Sequence, residues 1–252
     1  MEKRARICLM DEIRGFAVLC MVVRHAFYLI GYLFGIRWAQ QAFDFFGPVS
    51  PFFAGTFVLI SGISSQLSHS NRARGLKLLA VALLLTLATA LVIPEEIIRF
   101  GVLHMLAVCM LIFALLQKPL ARVPTGIGIA MCAGLFLLTA GLFFAPVPYV
   151  GVPGVPSLQV CAVSEWGKYL FPLGIRNVGF YSSDYYPIFP WLFVFLIGTF
   201  IGRSAAAGRF PQWTYPARIP AFSWIGKHAL VIYILHQPVL YGIVWGISLL
   251  VR

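Results

Sequence analysis

Long apolar stretches recur along the chain and alternate with short polar segments. Each stretch has roughly 17 to 25 residues, the length that a helix needs to cross the hydrocarbon layer of a bilayer. The pattern predicts an all-α, polytopic membrane bundle, with an error of one or two helices in the count. Seven transmembrane helices are expected, at about 12–35, 48–68, 76–93, 100–117, 125–145, 187–202 and 228–250.

The segment 146–186 differs from these stretches. It is rich in proline and glycine near its start and in aromatic residues from Trp166 onward. Aromatic residues of this kind are typical of the headgroup layer, and the alternative is an external lid over a cavity. A short or re-entrant helix within this segment would make the number of helices even.

The first apolar stretch is interrupted by a regular series of polar positions. Helical spacings of three or four residues place one set of side chains on a single face, namely Asp11, Arg14, Val18, Met21 and His25. Arg24 stands beside His25. Ionisable side chains at bilayer depth are costly and are tolerated mainly inside a bundle or a wet cavity. This face therefore predicts a functional site.

A basic start followed by an apolar run also occurs in secretory signal peptides. Here Arg14, Arg24 and His25 interrupt the apolar core, and no A-x-A cleavage site follows. We therefore interpret the segment as the first membrane helix.

The overall composition agrees with a membrane protein. The chain is 60% hydrophobic and 11% charged, with a mean hydropathy of +0.89, far from the values of soluble globular proteins. No repeat of about 20–50 residues is visible, and no segment is long enough to fold as a separate soluble domain. One transmembrane domain over 1–252 is expected.

The basic residues predict the orientation. With a cytoplasmic N-terminus, most of the 19 lysines and arginines fall in inner loops, as the positive-inside rule requires. The net charge of +11 is then mainly a topology signal, and its spread over several short loops shows no nucleic-acid footprint. We predict an integral membrane protein, with lipid as its surroundings.

The five cysteines are odd in number and lack C-x-x-C spacing. Most of them lie in apolar runs, where cysteine behaves as a small core residue. We expect neither a disulfide framework nor a metal site.

Three side chains are candidates for proton chemistry in the outer half of the membrane. At about 1.5 Å per residue, His25 lies roughly 20 Å above Asp11, and His104 follows the outer start of the fourth helix. Asp184 enters from the outer end of the sixth helix. A carboxylate beside a histidine holds one tautomer and raises its basicity. The alternative is that each histidine only hydrogen-bonds a neighbouring helix.

Basic residues near the inner surface form a second candidate site. Arg6, Arg14 and Lys77 could hold the phosphates of an anionic, nucleotide-like donor, because guanidinium groups match phosphate oxygens. The positive-inside rule alone is the alternative explanation, and it is the stronger one for Lys77. Asp11 is expected to form an ion pair that fixes Arg14 or another basic side chain.

The last helix adds His236, roughly halfway across the membrane, followed by Gln237 and Pro238. The proline frees a carbonyl one turn earlier, which Gln237 or another polar group could satisfy. A third histidine at membrane depth favours a polar interior.

Small residues on two helices predict close packing. Gly198 and Gly202 form a small-xxx-small pair, which indicates helix contact only. Ser61 and Gly62 also indicate helix contact; the alternative is that they allow a narrow ligand to approach the backbone.

Five motifs follow one another over most of the chain. They are R-x-x-x-x-D-x-x-R-G from Arg6 with Met21 and His25, Phe57-x-x-x-Ser61-Gly62, Gly101-Val102-Leu103-His104, Asp184-x-x-Pro187-x-x-Pro190-Trp191 with Gly198, and Gly226-x-x-x-Leu230-x-x-Tyr233-x-x-His236-Gln237-Pro238. Together they resemble the transmembrane acyltransferases related to the catalytic domain of heparan-alpha-glucosaminide N-acetyltransferase. A bacterial group of unknown function is included in that family.

The resemblance implies transfer of an acyl group, typically acetyl, from cytoplasmic acyl-coenzyme A (acyl-CoA) to an acceptor at the other membrane face. The acceptor would be a glycan or another small molecule. His25 would be the general base or the acyl carrier, and His104 and Asp184 would complete the catalytic set. The donor, acetyl-CoA or another acyl-CoA, would be bound by Arg6, Asp11, Arg14, Ser61, Lys77 and His236, without a metal.

The resemblance is incomplete in the loop after helix 1. The lysosomal enzyme uses a histidine in the loop after helix 1, whereas Gly35-Ile36-Arg37-Trp38 offers none here. This difference weakens any inference about that particular acceptor. Family analogy is also compatible with a homodimer.

Two other classes of function stay open at this point. A proton-coupled transporter could use Asp11, His25, His104 and His236 as a relay, although no inverted repeat or pair of broken helices is visible. A purely structural role would leave His25, His104 and Asp184 individually replaceable.

Overall fold

The computed structural model describes residues 6–152, 154–155, 158–160, 168–177 and 179–250, except for the side chains of Leu33 and 248–250. Cys161 and Trp166 lie outside this part of the chain. The helices are α1 (Cys8–Tyr28), α2 (Arg37–Phe46), α3 (Ser50–Gln66), α4 (Asn71–Val92), α5 (Val102–Ala121), α6 (Thr125–Thr139), α7 (Gly141–Phe144), α8 (Ile188–Ala206), α9 (Pro220–Lys227) and α10 (Ala229–Leu250). A two-stranded antiparallel sheet consists of β1 (Tyr149–Val150) and β2 (Leu158–Gln159).

The predicted all-α polytopic fold is confirmed. Within the described residues, seven helical segments are long and apolar enough to cross a membrane: Cys8–Tyr32, Arg37–Gln66, Asn71–Val92, Val102–Ala121, Thr125–Phe144, Ile188–Ala206 and Ala229–Ile247. All seven correspond to the predicted stretches.

The second segment is longer than the apolar pattern predicted. It begins at Arg37 because α2 continues through the 3₁₀ turn Gly47–Val49 into α3. The polar residues Gln40, Gln41 and Asp44 lower the hydropathy of α2, so the pattern indicated a start near 48. The first segment likewise ends in a π-helical turn, Leu29–Leu33, which extends α1.

The chain divides into two compact units, residues 1–57 with 210–252 (unit 1) and residues 58–209 (unit 2). Helix α3 contributes its first turns to unit 1 and the rest to unit 2. The prediction of one domain over 1–252 stays a prediction.

Unit 1 is organised around a close approach of α1 and α9. A Cβ atom at Gly15 would overlap the Phe222 carbonyl oxygen, and one at Gly226 would overlap the Asp11 carbonyl oxygen. Phe16 packs edge-on against Phe53, with 5.8 Å between ring centroids. These small residues let the start of α1 contact the backbone of α9 directly.

Unit 2 contains a second close approach, which confirms the predicted small-residue contacts. A Cβ at Gly62 of α3 would overlap the Phe195 carbonyl oxygen of α8, and one at Gly198 would overlap the Leu59 carbonyl oxygen. Helix packing therefore fills the face of Gly62 that was considered for a narrow ligand. Cys109 and Cys132 are buried, as expected of small core residues.

Candidate active site

The structure brings two of the predicted site histidines together within unit 1. His25 of α1 and His236 of α10 lie with their ring centroids 5.0 Å apart and their planes inclined at 61°. His236 is only 7% exposed, and His25 is partly buried. Because α1 rises about 1.5 Å per residue, this pair lies roughly 20 Å along the helix from Asp11.

Each imidazole has one nitrogen fixed by a hydrogen bond. Gln237 Nε2 lies 3.3 Å from His25 Nδ1, and His236 Nδ1 lies 2.6 Å from the Tyr233 carbonyl oxygen. An amide nitrogen can only donate and a carbonyl can only accept. His25 Nδ1 is therefore an acceptor, and His236 Nδ1 is a donor.

These bonds define opposite tautomers for the neutral rings. His25 carries its proton on Nε2, whereas His236 carries its proton on Nδ1 and has a lone pair on Nε2. Among the described residues, none hydrogen-bonds His236 Nε2, although this atom is buried. A buried acceptor without a partner is costly, so this atom is a candidate contact for another molecule.

Arg24, the sequence neighbour of His25, has an aromatic contact. Its guanidinium carbon lies 4.0 Å from the centre of the Phe43 ring in α2. A cation over an aromatic face is stabilised by the ring quadrupole. Stacking on α2 is therefore one interaction that stabilises this charged side chain.

The predicted ion pair of Asp11 is confirmed. Asp11 is 4% exposed and accepts from Arg6 Nε at 2.6 Å and from Arg14 Nη1 at 3.2 Å. The hydrogen bond to this carboxylate raises the pKa of Arg6 above its ordinary value. The Arg6 side chain is 60% exposed, so its terminal nitrogens are accessible to a ligand.

The structure shows a role for Glu12 that the sequence analysis missed. Its Oε1 accepts hydrogen bonds from the backbone N–H groups of Arg218 at 2.6 Å and Ile219 at 2.9 Å. These groups immediately precede α9, where a negative charge interacts favourably with the helix dipole. The buried carboxylate thus ties α1 to the start of α9. Its partners lie more than 200 residues away, so no local pattern indicates it.

The other two predicted catalytic residues lie together in unit 2, at the N-terminus of α5. His104 Nδ1 accepts from the Gly101 N–H at 3.3 Å, and His104 Nε2 lies 3.1 Å from Thr86 Oγ1. Thr86 donates its own proton to the Ile98 carbonyl, so it accepts from His104 Nε2–H. Asp184 Oδ2 accepts from the Val102 N–H at 3.1 Å. Both side chains thereby satisfy backbone groups at the start of α5.

The two remaining predicted donor-binding residues also lie on described helices of unit 2. Ser61 is 8% exposed within α3, and Lys77 is exposed on the second turn of α4. Gln237 was one of the polar groups that could satisfy the carbonyl freed by Pro238; in the structure its amide nitrogen lies against His25. The partner of Gln237 is 212 positions away, beyond the reach of helical spacing.

Comparison with known protein families gives a match that covers most of the chain. The model of the family described as "Heparan-alpha-glucosaminide N-acetyltransferase, catalytic" matches residues 6–238. The chain belongs to this family. Searches of curated proteins and of solved structures gave no match.

Membership in the N-acetyltransferase catalytic family confirms the predicted resemblance. The matched range runs from Arg6 to Pro238, and it contains the histidine pair, the Asp11 ion pairs and the His104 network. The protein is a member of a membrane acetyltransferase-like family, with seven apolar helices that fit an integral membrane protein.

Proposed function

We propose that the protein is an acyltransferase that moves an acyl group, acetyl in the first instance, from cytoplasmic acyl-CoA to an acceptor at the outer face of the bacterial inner membrane. The acceptor class is a glycan or another small molecule with a free amine or hydroxyl. The observation that carries the proposal is the unpartnered His236 Nε2 beside His25, inside the range matched by the family.

Acyl transfer requires proton transfer, which an imidazole can supply. The acceptor nitrogen or oxygen forms a bond to the thioester carbonyl carbon, and the carbon–sulfur bond breaks with its electron pair on sulfur. The acceptor loses a proton and the departing thiolate gains one. A histidine can relay that proton, or it can carry the acyl group between two half-reactions.

We assign this chemistry to unit 1 rather than to His104. Both ring nitrogens of His104 already hold hydrogen bonds that organise the start of α5. His236 has a lone pair available at a buried position. His104 and Asp184 then act as residues that shape the N-terminus of α5.

The charged cluster at the start of α1 suits the donor. Asp11 holds Arg6 and Arg14 side by side, and two guanidinium groups can pair with phosphate oxygens of coenzyme A. His236, which also belongs to unit 1, is proposed to contact the acyl end. Under the positive-inside orientation this cluster faces the cytoplasm, where acyl-CoA is present.

The test is acyl transfer by the purified protein in nanodiscs. Labelled acetyl-CoA is incubated with a panel of amino sugars and short glycans, and both free coenzyme A and acylated product are measured. We expect acceptor-dependent release of coenzyme A that is lost in His25→Ala and His236→Ala. The control is His228→Ala, because His228 makes a similar Nδ1 contact to a carbonyl at 2.8 Å but is exposed.

Two results contradict the proposal. One is absence of thioester consumption with every donor and acceptor, together with pH-driven solute uptake into vesicles. The other is an unchanged rate of transfer in correctly folded His25→Ala and His236→Ala proteins.

A further inference from the structure

The two histidines offer complementary groups to a reacting molecule. His25 presents an N–H at Nε2 because Gln237 donates to its Nδ1. His236 presents a lone pair at Nε2 because its Nδ1–H is bound to the Tyr233 carbonyl. The ring centroids are 5.0 Å apart, so the two imidazoles lie close enough to act on the same small reacting group.

We propose that these imidazoles have different tasks: His236 Nε2 accepts the proton of the acceptor nucleophile, and His25 Nε2–H donates a hydrogen bond to the thioester carbonyl oxygen. Gln237 is the positioning residue that fixes the His25 tautomer. This inference rests on the proposed function and specifies its proton transfer. It replaces the expectation that His25 is the base or the acyl carrier.

The steps balance without a further reagent. The acceptor's lone pair forms the new bond to the carbonyl carbon while its proton moves to His236 Nε2. Negative charge develops on the carbonyl oxygen, where the His25 N–H stabilises it, as hydrogen-bond donors do in an oxyanion site. The carbon–sulfur bond then breaks, and the proton on His236 passes to the coenzyme A thiolate.

Burial supports this assignment for His236. A ring that is 7% exposed and has an unsatisfied acceptor is stabilised when a ligand brings an N–H or O–H to it. An amine or hydroxyl acceptor supplies such a donor. The position of His236 thus selects for a nucleophile that still carries a proton, which is the species that a general base must bind.

The Gln237→Glu variant separates the two roles of His25. A carboxylate at 237 accepts a hydrogen bond, so the His25 proton moves to Nδ1 and Nε2 loses its donor. If His25 stabilises the carbonyl oxygen, the turnover number falls about 100-fold with little change in KM. If His25 is the base or acyl carrier, the same variant maintains or raises the turnover number, which overturns the proposal.

Gln41→Glu is the matched control for Gln237→Glu. Gln41 is exposed on α2, so it receives the same change of charge without contact to the histidine pair. We expect the control to have the wild-type turnover number. A fall as large as that of Gln237→Glu would assign the effect to charge alone and overturn the proposal.

Replacement of the histidines gives a second, independent test. The glutamine amide nitrogen in His25→Gln can replace the Nε2–H donor, so this variant should keep at least ten times the activity of His25→Ala. An amide cannot accept the proton, so His236→Gln should be as inactive as His236→Ala. Added imidazole should restore part of the activity of His236→Ala. Equal loss in both His25 variants, or activity in His236→Gln, contradicts the assignment.

A measurement of the tautomers does not depend on activity. Nitrogen-15 NMR of histidine-labelled protein in nanodiscs should show Nε2–H at His25 and Nδ1–H at His236, and the His25 tautomer should reverse in Gln237→Glu. If these tautomers are found but no acyl transfer occurs, the proposed function fails. If transfer occurs with other tautomers, the division of roles fails.

Discussion

Gly226 of α9 lies directly against the backbone carbonyl of Asp11 in α1, where any side-chain carbon would overlap the oxygen. Gly15 and the Phe222 carbonyl repeat this relationship nearby. A contact between backbones has no flexible atoms that can move aside. The position of Asp11, and of the arginines that it holds, therefore depends on the absence of a side chain at residue 226.

We expect Gly226→Ala to destabilise the protein by about 1–3 kcal/mol, because the added methyl group overpacks this contact. The thermal unfolding temperature in detergent measures the effect. Gly242→Ala is the control, since no atom lies within 4 Å of a Cβ built at that position. Equal unfolding temperatures for the two variants would contradict the close approach of α1 and α9.

Asp11→Asn tests the ion pairs at the start of α1. The variant removes the negative charge that holds Arg6 and Arg14. A hydrogen bond to a charged group contributes about 1.5–3 kcal/mol to stability. We expect a lower unfolding temperature and a several-fold higher KM for acyl-CoA, with a smaller effect on the turnover number. Asp44→Asn is the control at an exposed carboxylate. A KM equal to that of the wild type would remove Asp11 from donor binding.

Glu12 provides a separate test of how α9 is attached. Glu12→Ala removes the acceptor for the N–H groups of Arg218 and Ile219, and we expect a loss of about 1–2 kcal/mol, as for other helix caps. Glu12→Gln keeps an acceptor oxygen and should lose less. Both variants are compared by thermal unfolding with Glu95→Ala, which alters an exposed carboxylate. The same stability in Glu12→Ala and Glu95→Ala would exclude the capping role.

His104 distinguishes a capping residue from a catalytic one. We expect His104→Ala to lose about 1–3 kcal/mol, because it leaves the buried Gly101 N–H without its acceptor and removes the hydrogen bond to Thr86 Oγ1. The amide oxygen of His104→Asn can accept from the Gly101 N–H, so this variant should recover part of the stability and keep acyl transfer. Loss of transfer in a stable His104→Asn protein would instead indicate a catalytic role. His69→Ala, at an exposed histidine, is the control.

Much of the architecture could be predicted because spanning helices follow from local composition. Seven apolar stretches identified the seven segments, and glycine spacing identified the contacts of Gly198 and Gly62. Helix α2 was missed because its amides and carboxylate reduce the hydropathy, although it extends the second segment. Within this helix the Phe43 ring contacts the guanidinium of Arg24, a pairing that hydropathy does not indicate.

The sequence predicted which residues form the site better than it predicted the contacts between them. The series from Asp11 to His25 correctly lies on one helix, and the ion pair of Asp11 could be expected because it is local. The contacts of His25 with His236 and Gln237, and of Glu12 with Ile219, join residues more than 200 positions apart. No periodicity within one helix contains that information. The site roles of these residues remain predictions until the variants above are measured.

The long-range bonds of Glu12 have a consequence for biosynthesis. The first helix enters the membrane with two acidic residues, yet the N–H groups that satisfy Glu12 belong to residues 218 and 219. Throughout synthesis of the intervening chain, that carboxylate must rely on water or on the insertion machinery. Helix α1 is thus made long before residues 218 and 219 and is completed only after them, and chains cut short before residue 218 leave it without its native anchor.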